Sequence, residues 1–147
     1  MKTASPLDGF NSKALANDAL LEVPILIEKI SKACKIQEGE VESLLCEVIC
    51  FLGLIGKLNQ KLTPSLVVDL AWHELILCTK YYHQLCETQF GRYIHHHPGG
   101  EEKENEQQFL NTINLYTQHF GKPPSKYWGN LAGNIPTGSD CGPCSSI

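Results

Sequence analysis

The chain has 147 residues, with 12 basic against 16 acidic side chains for a net charge of −4, and is 42% hydrophobic and 19% charged. That length is one domain, able to bury roughly two-thirds or more of its unfolded surface, and the composition excludes a disordered or membrane-embedded protein. No Lys/Arg block is available to neutralise phosphates, so nucleic-acid binding is not expected; membrane association is not expected either, and a protein partner is left open.

Met1–Phe10 has no apolar stretch of the kind a secretory signal needs. The longest apolar run, Leu44–Ile55, contains Glu47 and falls short of the ~20 residues of a membrane span. A cytoplasmic setting is therefore expected, in which the seven cysteines are reduced thiols or metal ligands rather than disulfides.

Residues 1–18 carry Pro6, Gly9 and small polar side chains and read as a loose N-terminal arm, with a short helix at Ser12–Leu21. A helical domain over 19–128 follows. Its first firm helix is Val23–Lys35, with Pro24 near the start, where a missing N–H is harmless. The second is Glu40–Gln60, in which Val41, Leu44, Leu45, Val48, Leu52, Ile55 and Leu58 recur at three- and four-residue steps. Gly53 and Gly56 in that helix allow a close approach. Thr63-Pro64 is a helix start signal, and the third helix is expected to run unbroken to Gln89, with Gly91 ending it. It is apolar around most of its circumference and so is expected to be the central helix. A fourth helix begins at Glu101–Glu106, buries Phe109, Ile113, Tyr116 and Phe120, and stops at Gly121 and Pro123-Pro124. Residues 129–147 are rich in Gly, Pro, Ser and Asn and read as a flexible tail bearing Cys141-Gly-Pro-Cys144. The expected fold is an all-α bundle of four to five helices with that tail.

The chemically loaded segment is Asp69–Pro98. Asp69 and His73 stand four apart, one turn along a shared helix face; they are either a polar stripe or a pair facing a site, the carboxylate orienting the imidazole. His95-His96-His97 form an extended segment, so His95 and His97 share one side and His96 the other, and Pro98 holds His97 extended. On one continuous helix His73 would lie roughly 27 Å back from Gly91 at 1.5 Å per residue, which opposes a site uniting it with the triple histidine. Cys46 and Cys50, also four apart, read as small buried hydrophobes, as do Cys34, Cys78 and Cys86, with a metal site joining Cys78 and Cys86 to His83 as an alternative that has no standard zinc spacing behind it. Cys141 and Cys144 match the letters of a thiol redox motif without its strand and helix, leaving a soft-metal chelate, a reversible disulfide or an inert tail. No phosphate loop, nucleophile elbow or HExxH is present.

The stretch Leu62–Leu77, with Pro64-Ser65, Asp69, Trp72-His73 and Ile76-Leu77, followed by Thr79, Tyr82, Cys86, Phe90-Gly91, Ile94 and the histidines before Pro98, resembles the glycine-rich domain-containing protein-like family of plants and bacteria. Phe120-Gly121 and Trp128 fit its later part. The resemblance spans roughly residues 40–128 and implies that Asp69, His73 and His95–His97 belong to a family pattern; it brings no established reaction.

Together these readings describe a small helical domain that binds a divalent transition metal, Zn or Fe, through Asp69, His73 and one or two of His95, His96 and His97, the reaction unassigned. The alternatives are a non-enzymatic interaction module in which Asp69 and His73 are structural, and a thiol protein acting through Cys141 and Cys144.

Overall fold

A computed structural model describes residues 5–97 and 99–129. The tail and its Cys141 and Cys144 lie outside the described residues. The protein is all-helical, with seven α-helices among the described residues rather than four to five: α1 Ser12–Glu22, α2 Ile25–Cys34, α3 Val41–Leu58, α4 Leu66–Leu77, α5 Thr79–Phe90, α6 Glu102–Phe120 and the four-residue α7 Ser125–Trp128. A single 3₁₀ turn, Glu38–Glu40, leads into α3.

The central element is α3, not the expected third helix. Its apolar residues surround the rod: Leu44, Leu45, Val48, Ile49, Phe51, Leu52, Leu54 and Ile55 are all without solvent exposure. Helices α1, α2, α4, α5 and α6 all pack on it. The third apolar stretch is more one-sided than its composition suggests. Trp72 and Leu75 are buried, but Leu66 and Leu77 are exposed. Both α3 glycines serve close packing. A Cβ on Gly56 would stand 2.5 Å from the Phe90 ring, and one on Gly53 would stand 2.7 Å from Phe10. The closely approaching groups are thus aromatic rings from α5 and the N-terminal segment.

Two boundaries shift for identifiable reasons. The N-cap of α4 is Ser65 rather than Thr63: the Ser65 hydroxyl accepts the Val68 N–H at 3.4 Å. Thr63 is tied instead to α6, its hydroxyl 3.2 Å from Gln108 Oε1 and its carbonyl accepting from the Thr112 hydroxyl at 2.8 Å. The expected single helix from Pro64 to Gln89 breaks at Cys78 (φ −84°, ψ 65°). There the Cys78 N–H bonds back three residues to the Leu75 carbonyl (3.1 Å), and the thiol takes up the Glu74 carbonyl that a continuing helix would offer that N–H (3.7 Å).

The break folds α5 beside α4. Trp72 and Tyr82 would stand about 15 Å apart along a straight helix, yet Trp72 Nε1 donates to Tyr82 Oη at 3.1 Å. Tyr82 in turn donates to the carbonyl of Ile94 at 2.6 Å. Trp128, 1% exposed, is packed into the same core, its ring 5.5 Å from that of Tyr116 and 6.4 Å from those of Phe51 and Phe109. Among the described residues no helix is long and apolar enough to cross a membrane.

Candidate metal centre

The fold at Cys78 removes the distance that separated His73 from the histidine loop. Gly91, in the left-handed conformation (φ 71°), ends α5 and turns the chain back. The returning segment then alternates like a strand. Arg92 donates to the Gly56 carbonyl at the end of α3 (2.8 Å), Ile94 is fully buried, and His96 reaches α4. The residues between them turn the other way: the Tyr93 ring lies 4.8 Å from that of His95, tilted against it, and His95 lies 6.3 Å from His97. His83 completes this outer row, 5.9 Å from Tyr93.

Three donor atoms converge where α4 meets the loop. His96 Nε2 is 2.6 Å from Asp69 Oδ1 and 2.8 Å from His73 Nε2, and His73 Nε2 is 3.5 Å from Asp69 Oδ1. Of the expected ligands, Asp69, His73 and His96 are therefore brought together, and His95 and His97 are not. Asp69 and the His96 ring are mostly buried, with 9% and 11% of their side chains exposed, whereas His73 is 47% exposed. The His96 ring is packed 4.7 Å from Trp72 and edge-on to His73 at 4.3 Å. The cluster thus has an apolar floor and one face toward solvent.

The sequence held a signal for choosing among the three histidines. Ile94 is the one aliphatic residue of the loop, and the alternation that buries it carries His96 inward with it. What periodicity could not show was the break at Cys78, because no glycine or proline marks it.

A second group of donors lies on α3: Cys46 Sγ, Cys50 Sγ and a Glu47 carboxylate oxygen are all within 4.8 Å of one another. Ser12 Oγ, on the first turn of α1, is 3.3 Å from Cys46 Sγ and 3.2 Å from Cys50 Sγ. The hydrogen bond from the Cys50 thiol brings Cys46 down to about 7, and the same bond, with burial, drives Cys50 far up. Glu47, 7% exposed, accepts from Tyr116 Oη at 2.5 Å and Trp128 Nε1 at 2.9 Å.

The fold and this cluster define an all-helical domain with two imidazoles and one carboxylate gathered at a helix–loop junction. The chain belongs to the UCP032817-like family, whose model matches residues 23–115, from the start of α2 to late in α6. This finding replaces the resemblance to the glycine-rich domain-containing protein-like family. Most of the residues that carried that resemblance, Leu62–Pro98, lie inside the match, whereas Phe120-Gly121 and Trp128 lie beyond it, and short blocks such as Trp72-His73 on an apolar helix were too little sequence to tell two helical families apart. No curated protein and no solved structure matches the chain.

Proposed function

We propose that this domain binds a divalent transition metal, Zn or Fe, through Asp69, His73 and His96. The observation that carries the reading is the convergence of three donor atoms at separations of 2.6, 2.8 and 3.5 Å. Ligands about 2.1 Å from one ion and at right angles stand about 3 Å from each other, so only small side-chain shifts are needed. A proton on His96 Nε2 can be directed at Asp69 or at His73, but not well at both; a cation would meet all three donors together. Two imidazoles and a carboxylate suit either metal, and with positions left open they are the ligand set of non-haem iron oxygenases and of catalytic zinc sites. The exposure of His73 leaves a side from which a further ligand can approach.

The test is elemental analysis of untagged protein purified without chelator, beside single His73→Ala, Asp69→Asn, His96→Ala and His95→Ala variants. About one equivalent more metal is expected in the wild type and in His95→Ala than in the other three. Equal metal contents in all five proteins would overturn the assignment.

One observation favours a second reading. The 2.6 Å contact between His96 and Asp69, beside Trp72, ties the loop to α4 whether or not a metal is present. Under that reading the domain is a non-enzymatic interaction module and the pair is a structural latch. His96→Ala then lowers stability yet takes up as much metal as the wild type; under the metal reading, metal raises the wild-type Tm by more than that of His96→Ala.

A further inference from the structure

We infer that Cys46, Glu47 and Cys50 form a second cation site, built on α3 and selective for a thiophilic divalent ion of the zinc type. The three residues fall within an arc of about 100° on the helix, and their ligand atoms are mutually within 4.8 Å. The Ser12 hydroxyl lies against both sulfurs at 3.2–3.3 Å and closes the group from the side of α1. Two sulfurs, a carboxylate oxygen and a hydroxyl give four donors, the number a zinc-type ion takes.

Glu47 points to a cation independently of the thiols. It is a carboxylate only 7% exposed on the central helix, among side chains that are almost all buried. Tyr116 and Trp128, which donate to it, are neutral groups, and among the described residues it makes no salt bridge. A buried carboxylate is costly without an opposite charge, and hydrogen bonds from neutral groups offset only part of that cost. A divalent ion that displaces the two thiol protons leaves the net charge of the group at about −1, as it is without metal, but sets a positive charge directly against the buried carboxylate. Binding transfers the two thiol protons to solvent, forms two metal–sulfur bonds and moves no electron.

The site is separate from the His73 cluster, and its test reads sulfur ligation alone. The full-length chain carrying Cys141→Ser and Cys144→Ser, reduced and metal-free, is titrated with Cd²⁺ while the ultraviolet thiolate-to-metal charge-transfer band is followed. A band saturating near one equivalent is expected. Cys46→Ala should abolish it, Glu47→Gln should weaken apparent affinity by about tenfold while keeping both neutral hydrogen-bond partners, and His96→Ala should leave it unchanged. In the same background with no further substitution, Cd²⁺ should also protect Cys46 from alkylation, read by mass spectrometry, which does not depend on any α3 variant folding. Absence of the band, a band unaltered in Cys46→Ala, or alkylation of Cys46 at an unchanged rate would each overturn the site.

Discussion

Helix α3 and the α4–α5 pair come from the same kind of sequence, a long apolar run with helical period, and end as different objects. α3 is one unbroken helix of 18 residues, and the donors on it meet because Cys46 and Cys50 are one turn apart. The second run folds back on itself at Cys78. Its Asp69 and His73 are also one turn apart, but their third companion, His96, is 27 residues beyond Asp69 and arrives only because the chain doubles back. Periodicity reports which face is buried; continuity is decided by where individual backbone donors and acceptors go. The largest test of the difference is Trp72→Ala. Trp72 is fully buried, lies edge-on to Phe51 at 5.5 Å, donates to Tyr82 and supports His96. Its truncation should cost about 3–5 kcal/mol in denaturant unfolding and release His96 from the cluster. A cost below about 1 kcal/mol would mean that the fold at Cys78 is held by something else.

Tyr82→Phe sharpens the comparison without opening a cavity. The hydroxyl accepts from Trp72 and donates to Ile94, so its removal leaves two buried polar groups without their partner. The expected cost is about 1–3 kcal/mol, together with faster hydrogen exchange in the 91–97 segment. If exchange there is unchanged, Arg92 and His96 alone fix the loop, and the Tyr82 bridge contributes only to α4 and α5.

On the α3 side the matching test is Gly56→Ala. The added methyl meets the Phe90 ring at 2.5 Å, a contact that something must move to relieve. Because the ring can tilt, the loss should fall in the lower part of the ~1–3 kcal/mol range for overpacking. Gly53→Ala, facing Phe10 near the chain's start, should cost less. Equal and negligible losses would mean that the rings approach α3 less closely than 2.5 and 2.7 Å imply.

Much of this architecture was legible beforehand. Leu44, Leu45, Val48, Leu52 and Ile55 marked the buried faces of α3, Phe109, Ile113 and Tyr116 that of α6, and Gly91 and Gly121 marked helix ends, because burial and positive-φ caps leave compositional traces. The Asp69/His73 pair was visible from its spacing. Three things were not. The break at Cys78 is accompanied by a thiol-to-carbonyl bond that cysteines in unbroken helices also make, so the residue type does not announce it. The rank of α3 over α4 depends on neighbours, which a single helix's composition does not list. Glu47 read as an interruption in an apolar run, whereas Tyr116 and Trp128, 69 and 81 residues away, make it a hydrogen-bonded interior group.

The smallest expected effect compares two thiols of equal burial. Cys34 and Cys46 are both half-buried, yet Cys34 is pushed up to about 11 by burial and then by the Glu74 charge, while Cys46 is drawn down to about 7 by the Cys50 thiol. Burial alone cannot give opposite signs; the difference lies in what each sulfur touches. Cys34 finds only the Val67 carbonyl, 3.8 Å away, an acceptor that favours the protonated thiol. For Cys34 the pH dependence has a definite sign. An unfolded thiol loses its proton near 9.0, whereas the folded one holds it to about 11. Stability from this residue is therefore intact below the lower value and falls as pH rises between the two. Cys34→Ala should flatten that part of the alkaline unfolding profile by a small but measurable amount. In metal-free wild type near neutral pH, alkylation should mark Cys46 well before Cys34, and the reverse order would show that the thiol and hydroxyl neighbours of Cys46 do not stabilise its anion.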